Sequence, residues 1–242
     1  MKTAKPPKQN KTMAHRLADE IREAIISAQL DLGEALSEEG LAAAFAVSRT
    51  PIREALTLLE TQGLVTIVPK SGTYVFQPDE EDITELCEHR AALESTASRL
   101  AMERHPEALL ADLRAALQGM QDARKVGDMN LYGRADTALH LAFFQHCDNR
   151  YLQEAYQRNL GRVAALRTHL ASRARNEPAR SFGDHQRIIE LVEHGKATAL
   201  GSLLTRHIMR TRENYINALR LRQEGDSASS RTVQMRRKLG LG

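Results

Sequence analysis

Two arginines one helical turn apart, Arg49 and Arg53, have the clearest potential chemistry in this sequence. They lie in the segment VSRTPIREAL, residues 47–56, where Ser48 is a residue type that caps helices and Pro51 is tolerated in a first turn. Because residues four apart share a helix face, both guanidinium groups would project from the start of one helix. A guanidinium can bond guanine O6 and N7 together, which suits the major groove of DNA. An ordinary surface helix with two solvated arginines is the alternative.

The neighbouring segments favour the DNA interpretation. Helical patterns over 13–28 and 37–45 come before the arginine helix, and β-branched runs at 64–68 and 73–76 follow it around a short turn. This order predicts a winged helix-turn-helix domain over residues 13–77, with one helix in the major groove and the wing beside the backbone. We therefore expect DNA contacts from six residues: Ser48, Arg49, Thr50, Arg53, Lys70 and Gly72.

A second set of residues offers metal ligands. Asp136 and His140 are four apart, so they would share one helix face, and His185 and His207 lie among apolar residues on two later helical stretches. Carboxylate and imidazole groups bind zinc, nickel, manganese and iron. Taken singly, a histidine is more often an ordinary core or surface residue. A metal centre would require a bundle that brings facing helices together at these four positions.

The rest of the chain is predicted to form that bundle. From residue 80 onward no strand pattern is present, and turn residues or prolines separate six helical stretches, at 80–104, 106–125, 129–146, 150–175, 178–194 and 196–223. The expected fold class is therefore mostly α: an N-terminal winged helix-turn-helix domain and a C-terminal all-α antiparallel bundle of six helices, residues 80–223. Residues 1–12 are predicted to be a flexible basic arm and residues 225–242 a flexible tail.

Composition sets outer limits on the function. A chain of 242 residues suits two modest domains, and 4% aromatic residues with no tryptophan favour helices. Cys87 and Cys147 have no C-x-x-C spacing, which is typical of free thiols in a reducing cytoplasm. No apolar run approaches the ~20 residues that cross a bilayer, and no secretory signal is recognisable. We expect a cytoplasmic protein with no membrane partner.

Net charge alone does not indicate nucleic acid binding. The formal charge is +3, and residues 1–78 contain nine basic and nine acidic side chains. The distribution is more informative, because five basic residues precede the first acidic one, Asp19, and could track phosphates. A disordered terminus with incidental lysines is the alternative. Glu34, Glu38 and Glu39 are expected to face away from DNA.

Residues 30–76 resemble the DNA-binding domain of the GntR family of bacterial transcription regulators. The matching segments are Leu36-Ser37-Glu38, Leu41-Ala42, Val47 to Leu56, Leu59-Glu60, Gly63-Leu64-Val65 and Gly72-Thr73-Tyr74-Val75. One departure is Leu32-Gly33, where the family usually has Pro-Gly before the second helix. The resemblance implies a winged helix-turn-helix that binds an operator.

Residues 80–223 resemble the FCD effector domain of the FadR-type branch of that family. Many such domains hold a metal through Asp-x-x-x-His and two later histidines, which implies Asp136, His140, His185 and His207 here. The implied cofactor is a divalent transition metal, zinc first, with nickel, manganese or iron as alternatives. Six helices rather than seven resemble the VanR-like subgroup. Arg90 matches an arginine that can reach an effector carboxylate; a structural pair with Glu94 is the alternative.

Together these features predict a ligand-responsive transcriptional regulator, expected to be a repressor. It would bind a palindromic double-stranded DNA operator as a homodimer and hold a small organic acid in a metal-centred pocket. A metal-dependent enzyme with a DNA-binding appendage is one alternative, and a structural metal with no effector is another. We expect no enzyme, because His-Glu-x-x-His, Gly-x-Ser-x-Gly, phosphate-loop and dinucleotide patterns are all missing from the sequence.

Overall fold

The computed structural model describes residues 11–170 and 177–238 of the chain. These residues divide into two compact units, with the boundary between Gln77 and Pro78. Most of the predicted basic arm, residues 1–10, lies outside the described residues, as do residues 171–175 of the fourth predicted bundle helix. Among the described residues, no helix is both long and apolar enough to cross a membrane.

The N-terminal unit is a winged helix-turn-helix, as predicted. Its sheet is antiparallel throughout, with β3 (Gly72–Val75) between β1 (Ala35–Leu36) and β2 (Val65–Val68), and Val65 lies opposite Val75. The two-residue β1 was not predicted, because so short a strand carries no alternation. In chain order the elements are α1 (Met13–Ile26), β1 (Ala35–Leu36), α2 (Glu38–Phe45), α3 (Arg49–Thr61), β2 (Val65–Val68) and β3 (Gly72–Val75).

Apolar periodicity fixes which face of α3 is buried. Ile52, Leu56 and Leu59 are buried on one side of α3, and α1 buries Leu17 and Ile21 in the same unit. Complete burial of such a side chain is worth about 1.5–3 kcal/mol. The opposite side of α3 is therefore left to its polar residues, which include the two arginines.

Helix caps in this unit agree with the sequence at one position and differ at another. The Ser37 hydroxyl accepts a hydrogen bond from the Gly40 N–H and caps α2, a role that serine favours. Ser48 is the N-cap residue of α3 but makes no side-chain capping bond, so the predicted hydroxyl cap is wrong there. Two members of the predicted arm are also ordered: Thr12 caps α1, and Lys11 pairs with Asp19.

All the regular secondary structure in the described residues of the C-terminal unit is helical. An Asp79–Asp82 capping box begins its first helix, and Pro106 begins the second. At the start of the fourth, the Asn149 side-chain oxygen accepts hydrogen bonds from the N–H groups of Tyr151 and Leu152. The elements are α4 (Glu80–Arg104), α5 (Pro106–Val126), α6 (Met129–Gln145), α7 (Arg150–Leu170), α8 (Glu177–Glu193) and α9 (Ala197–Lys238).

The last helix is longer than the sequence suggested. It was predicted to end at residue 223 before a flexible tail, but α9 continues to Lys238. Gly225, the first residue of the predicted tail, lies within this helix. A single interior glycine costs only about 1 kcal/mol relative to alanine, and no proline follows it.

The bundle core surrounds the polar site described next. Buried apolar residues from all six helices of this unit form one cluster, which includes Leu109 and Leu113 of α5, Phe143 of α6 and Leu204 of α9. Polar side chains enclosed by such a core must find partners inside the protein. This requirement directs attention to the buried histidines.

Candidate metal centre and nucleic-acid interface

Three buried histidines from three helices meet inside the bundle. His140 lies on α6, His185 on α8 and His207 on α9, and one ring nitrogen of each lies within 4.8 Å of the others. The ring centroids of His185 and His207 are 5.0 Å apart, and each lies 5.6 Å from that of His140. The bundle therefore assembles the three predicted histidine ligands.

Several nitrogens of this cluster have no hydrogen-bond partner. They are Nε2 of His140 and both ring nitrogens of His185, all of them buried. Leaving a buried polar atom unpaired costs about 1–3 kcal/mol. Coordination to a metal ion would supply the missing interaction, so the donor set fits such an ion.

Carboxylates orient two of the rings. His140 Nδ1 lies 2.7 Å from Glu94 Oε2, and His207 Nδ1 lies 3.1 Å from Asp184 Oδ2. Because an ionised carboxylate only accepts, Nδ1 of each ring must carry the proton. In a neutral ring held this way, Nε2 keeps its lone pair, which is the arrangement found around metal-bound histidines.

Asp136, the predicted carboxylate ligand, lies beside the histidines but has another partner. Its Oδ1 is 3.3 Å from His185 Nε2, and its Oδ2 is 3.9 Å from His140 Nε2. The same Oδ2 forms a close ion pair with Nε of Arg167 on α7. The carboxylate is therefore shared between the histidine cluster and a guanidinium.

The protonation states suit metal ligation. Burial lowers the pKa of His140 and lowers that of His185 well below its ordinary value, so both rings are neutral near pH 7. Burial raises the pKa of the Asp136 carboxyl, but the positive charge of Arg167 beside it outweighs burial and holds that pKa below the usual range. Neutral imidazole and ionised carboxylate are the forms that bind metal.

Arg90, the predicted effector residue, is fully enclosed and paired. Its Nε donates to Glu94 Oε1 at 2.9 Å, and the Tyr156 hydroxyl donates to the same oxygen at 3.2 Å. The structural pair raised as the alternative is thus present. One terminal nitrogen of Arg90, Nη2, has no hydrogen-bond partner.

Three residues of the site were missed as functional residues by sequence reasoning. Asp184 directly precedes His185, Glu94 was considered only as a partner of Arg90, and Arg167 was not singled out. Arg167 did carry a signal, because it follows Val163-Ala164-Ala165-Leu166, an apolar run in which a charged residue needs a buried partner.

On the N-terminal unit, the six predicted DNA-contact residues are all exposed. Lys70 and Gly72 lie at the wing turn, both with positive φ, at 65° and 146°. Arg49 and Gly72 line one open cleft of about 410 Å³ between the first turns of α2 and α3 and the wing. The arginine helix and the wing therefore share one concave surface.

Glu38 does not face away from that surface, so this prediction was wrong. Its carboxylate accepts hydrogen bonds from Arg49 Nη2 at 3.0 Å and from Arg53 Nε and Nη2 at 3.2 and 2.9 Å. These bonds hold the pKa of the Glu38 carboxyl below its usual value. The turn between α2 and α3 brings the two helix starts together, and sequence spacing could not show this.

Comparison with known proteins decides the family. The model of the bacterial regulatory proteins of the gntR family matches residues 13–75, and the FCD domain model matches residues 85–210. The chain belongs to the GntR family and carries an FCD domain. This GntR-family member is a DNA-binding transcriptional regulator rather than an enzyme.

Known relatives agree with this family assignment. The chain is 30% identical over 201 residues to the "Probable D-xylose utilization operon transcriptional repressor" of Paenarthrobacter nicotinovorans, covering 81% of this chain and 86% of that protein. A GntR transcriptional regulator from Rhodococcus sp. RHA1 superposes with a TM-score of 0.77 at 25% identity, covering 86% of this chain and 99% of the other. E. coli McbR/YncC has the same fold, with a TM-score of 0.74 at 20% identity over 86% of this chain and 98% of its own.

Proposed function

We propose that this GntR-family member is a repressor that binds a palindromic operator as a homodimer and releases it in response to a metal-bound organic acid. The observation that carries the proposal is the group of three buried histidines with unpaired nitrogens at the centre of the FCD bundle. Six helices in the described part of this unit support placement in the VanR-like subgroup. The resemblance of the chain to an operon repressor supports the direction of regulation.

The metal would be held by His140, His185 and His207, with Asp136 as the fourth ligand. Zinc suits a set of three imidazoles and one carboxylate, and nickel, manganese and iron accept the same donors. When bound, the ion supplies positive charge and open coordination positions for carboxylate and hydroxyl oxygens. Glu94 and Asp184 hold the rings in the tautomer that such binding needs.

The effector is proposed to be a small organic acid. Its charge would be matched by the ion and by guanidinium groups buried nearby, of which Arg90 has a free Nη2. A ligand shifts the protein between conformations only by its difference in affinity for them. Typical coupling of ~1–3 kcal/mol would weaken operator binding roughly 5- to 150-fold.

At the operator, Arg49 and Arg53 would read base edges while Ser48, Thr50, Lys70 and Gly72 contact the backbone. The exposure of all six residues and the cleft shared by α3 and the wing support this arrangement. A two-fold dimer presents two such surfaces, and these match the two half-sites of a palindrome.

The deciding experiment measures zinc binding and thermal stability of the chelator-stripped full chain and of two variants. His185→Ala should weaken zinc binding about 100-fold or more, whereas His194→Ala, which removes an exposed histidine just after α8, should leave it unchanged.

Operator binding is then measured with zinc and a panel of small acids. Zinc-dependent stabilisation by one class of acid supports the effector site. Zinc binding with no response to any acid would leave a structural metal, and unchanged zinc binding in His185→Ala would refute the site.

A further inference from the structure

We propose that Arg167 reads the anionic effector, and that it becomes free to do so only when a metal ion draws Asp136 away from it. The inference deepens the proposed function and rests on it. Arg167 would make anion binding conditional on metal loading, and it would favour organic acids with a second carboxylate.

Arg167 is held next to the histidine cluster by residues of α6. Its Nε pairs with Asp136 Oδ2, and its Nη1 donates to the Thr137 hydroxyl. Arg167 and Asp136 are only 8% and 5% exposed. A guanidinium with this little access to water needs an anionic acceptor within the protein.

Asp136 cannot serve both cations equally well. Its Oδ1 lies 3.3 Å from His185 Nε2, on the histidine side, and its Oδ2 lies on the Arg167 side. A divalent ion among the histidines would withdraw negative charge from the whole carboxylate. The same ion would repel Arg167 across a short, poorly solvated distance. Metal binding therefore weakens the Asp136–Arg167 pair and leaves the guanidinium without a full counter-charge.

The charges around the site show what would replace Asp136. Three ion pairs surround the histidines, and each is balanced: Arg90 with Glu94, Arg167 with Asp136, and Arg210 with Asp184. A divalent ion bound by neutral imidazoles adds two positive charges to this balanced set. Buried charge of that size is unfavourable without a partner, so the loaded site calls for an anion.

An acid with two carboxylates matches this demand best. One carboxylate would take open positions on the ion, and the other would accept a bidentate pair from Arg167. A single acetate brings one charge and cannot make both contacts in the same way. The coupling is reciprocal, so the anion must also raise the affinity for the metal.

The test uses the full chain stripped of metal, with Zn²⁺ alone as the first probe. Arg167→Met removes the competing cation, so zinc should bind Asp136 and the histidines about tenfold or more tightly than in the wild type. Arg158→Met is the matched control, because it makes the same change at an exposed position of the same helix. Its zinc affinity should stay at the wild-type value.

The second probe is a panel of malonate, malate and citrate, compared with acetate in the presence of zinc. Wild-type protein should be stabilised more by at least one polycarboxylate than by acetate, and Arg167→Met should lose that difference. Arg167→Lys keeps the charge without the planar fork, so it should retain a weakened preference. That variant also serves if Arg167→Met fails to fold.

A double-mutant cycle isolates the competition. In an Asp136→Asn background the contested carboxylate is gone, so Arg167→Met should raise zinc affinity much less than it does with Asp136 present, because only the direct repulsion between the ion and Arg167 is then removed. If the wild-type protein binds zinc and acids and both Arg167 variants behave in the same way, this inference is overturned and the metal centre is retained. A wild type that binds no zinc would overturn both, and a zinc-loaded wild type that responds to no member of the panel would overturn the role of Arg167 as an anion reader.

Discussion

Arginine and carboxylate meet in both units of this protein, but in opposite surroundings. In the N-terminal unit, Glu38 holds Arg49 and Arg53, whose side chains are 60% and 65% exposed. In the FCD bundle, Arg90 and Glu94 form a pair with side chains 2% and 0% exposed. Exposed ion pairs add little stability and exchange readily, whereas breaking a buried pair strands a charge in a poor solvent.

This difference matches what the proposed function requires of each unit. Arginines that read DNA must release their partner within the time of an encounter, and a solvated carboxylate allows it. A site that recognises a metal and an acid must exclude the wrong ligands. Buried ion pairs do so because they are costly to break, and only a ligand that replaces the lost contact can enter. The same two functional groups therefore form an ion pair that breaks readily on the exposed surface and one that is costly to break inside the bundle.

The largest expected effect is on the buried pair. Glu94→Gln should destabilise the metal-free protein by about 3–5 kcal/mol, because Arg90 loses its counter-charge. The new amide NH₂ would also face donors from Arg90, Tyr156 or His140, all of which now donate to Glu94. Urea denaturation monitored by circular dichroism measures the change.

Glu103→Gln is the matched control for this variant. Glu103 pairs with Arg99 on the same helix and at the same i,i+4 spacing, but those side chains are 66% and 59% exposed. Its free energy of unfolding should stay within about 0.5 kcal/mol of the wild-type value. Similar losses in the two variants would remove the contrast between buried and exposed pairs on which the comparison depends.

The buried histidines should also make stability depend on pH close to neutrality. Folded-state pKa values of His140 and His185 are depressed by burial, so below about pH 6.5 the unfolded chain binds more protons than the folded one. Stability of the metal-free protein is therefore retained above that pH and lost as the pH falls. Each histidine contributes at most about 1.4 kcal/mol per pH unit.

Thermal unfolding of chelator-stripped protein between pH 7.5 and 5.0 checks this dependence. Replacing His185 with Gln removes one of the two titrating rings, so the curve of melting temperature against pH should become shallower. A His194→Gln control should leave the slope unchanged, since that ring lies on the surface. A melting temperature that rises on acidification would contradict the assignment of neutral buried rings.

The sequence indicated the four proposed metal ligands but not the residues that contact them. The i,i+4 spacing placed Asp136 and His140 on one face, and the resemblance supplied His185 and His207. Which carboxylate orients each ring depends on how helices distant in the sequence approach one another, and no local pattern encodes that. The Arg167–Asp136 contact joins α7 to α6 in this way.

The fold followed the same division between local and non-local information. Caps and breaks such as Ser37, Asp79 and Pro106 are local signals, and they placed the helix starts correctly. The two-residue β1 exists only because β3 pairs with it, and the contact of Glu38 with Arg53 exists only because α2 and α3 meet. Both depend on tertiary structure, so periodicity could not reveal them.

A smaller effect is expected at the DNA surface. Arg53→Ala should weaken binding to the operator roughly 5- to 150-fold, as for the loss of a bidentate base contact. Binding to random DNA of the same length should fall much less. Fluorescence anisotropy at one fixed salt concentration measures both affinities. Equal losses on the two DNAs would mean that Arg53 contacts phosphate only. The exposed arginines would then contribute charge to DNA binding and no sequence recognition.

The smallest effect concerns Glu38 and tests whether its exposed ion pair orients Arg53. Arg53 donates Nε and Nη2 to this carboxylate, so its guanidinium is held in one orientation while the remaining N–H groups stay available for a base. Glu38→Gln weakens that hold and removes one negative charge near the phosphates. Random DNA should then bind a few-fold more tightly with a steeper salt dependence, and the operator should gain less.

Glu39→Gln is the matched control for this variant. It removes the same charge from the next position, and Glu39 has no bond to either arginine in the described structure, so the control separates the effect of charge from the effect of orientation. If both variants changed the ratio of operator to random affinity equally, Glu38 would act through its charge alone, because only an orienting carboxylate affects the two DNAs differently.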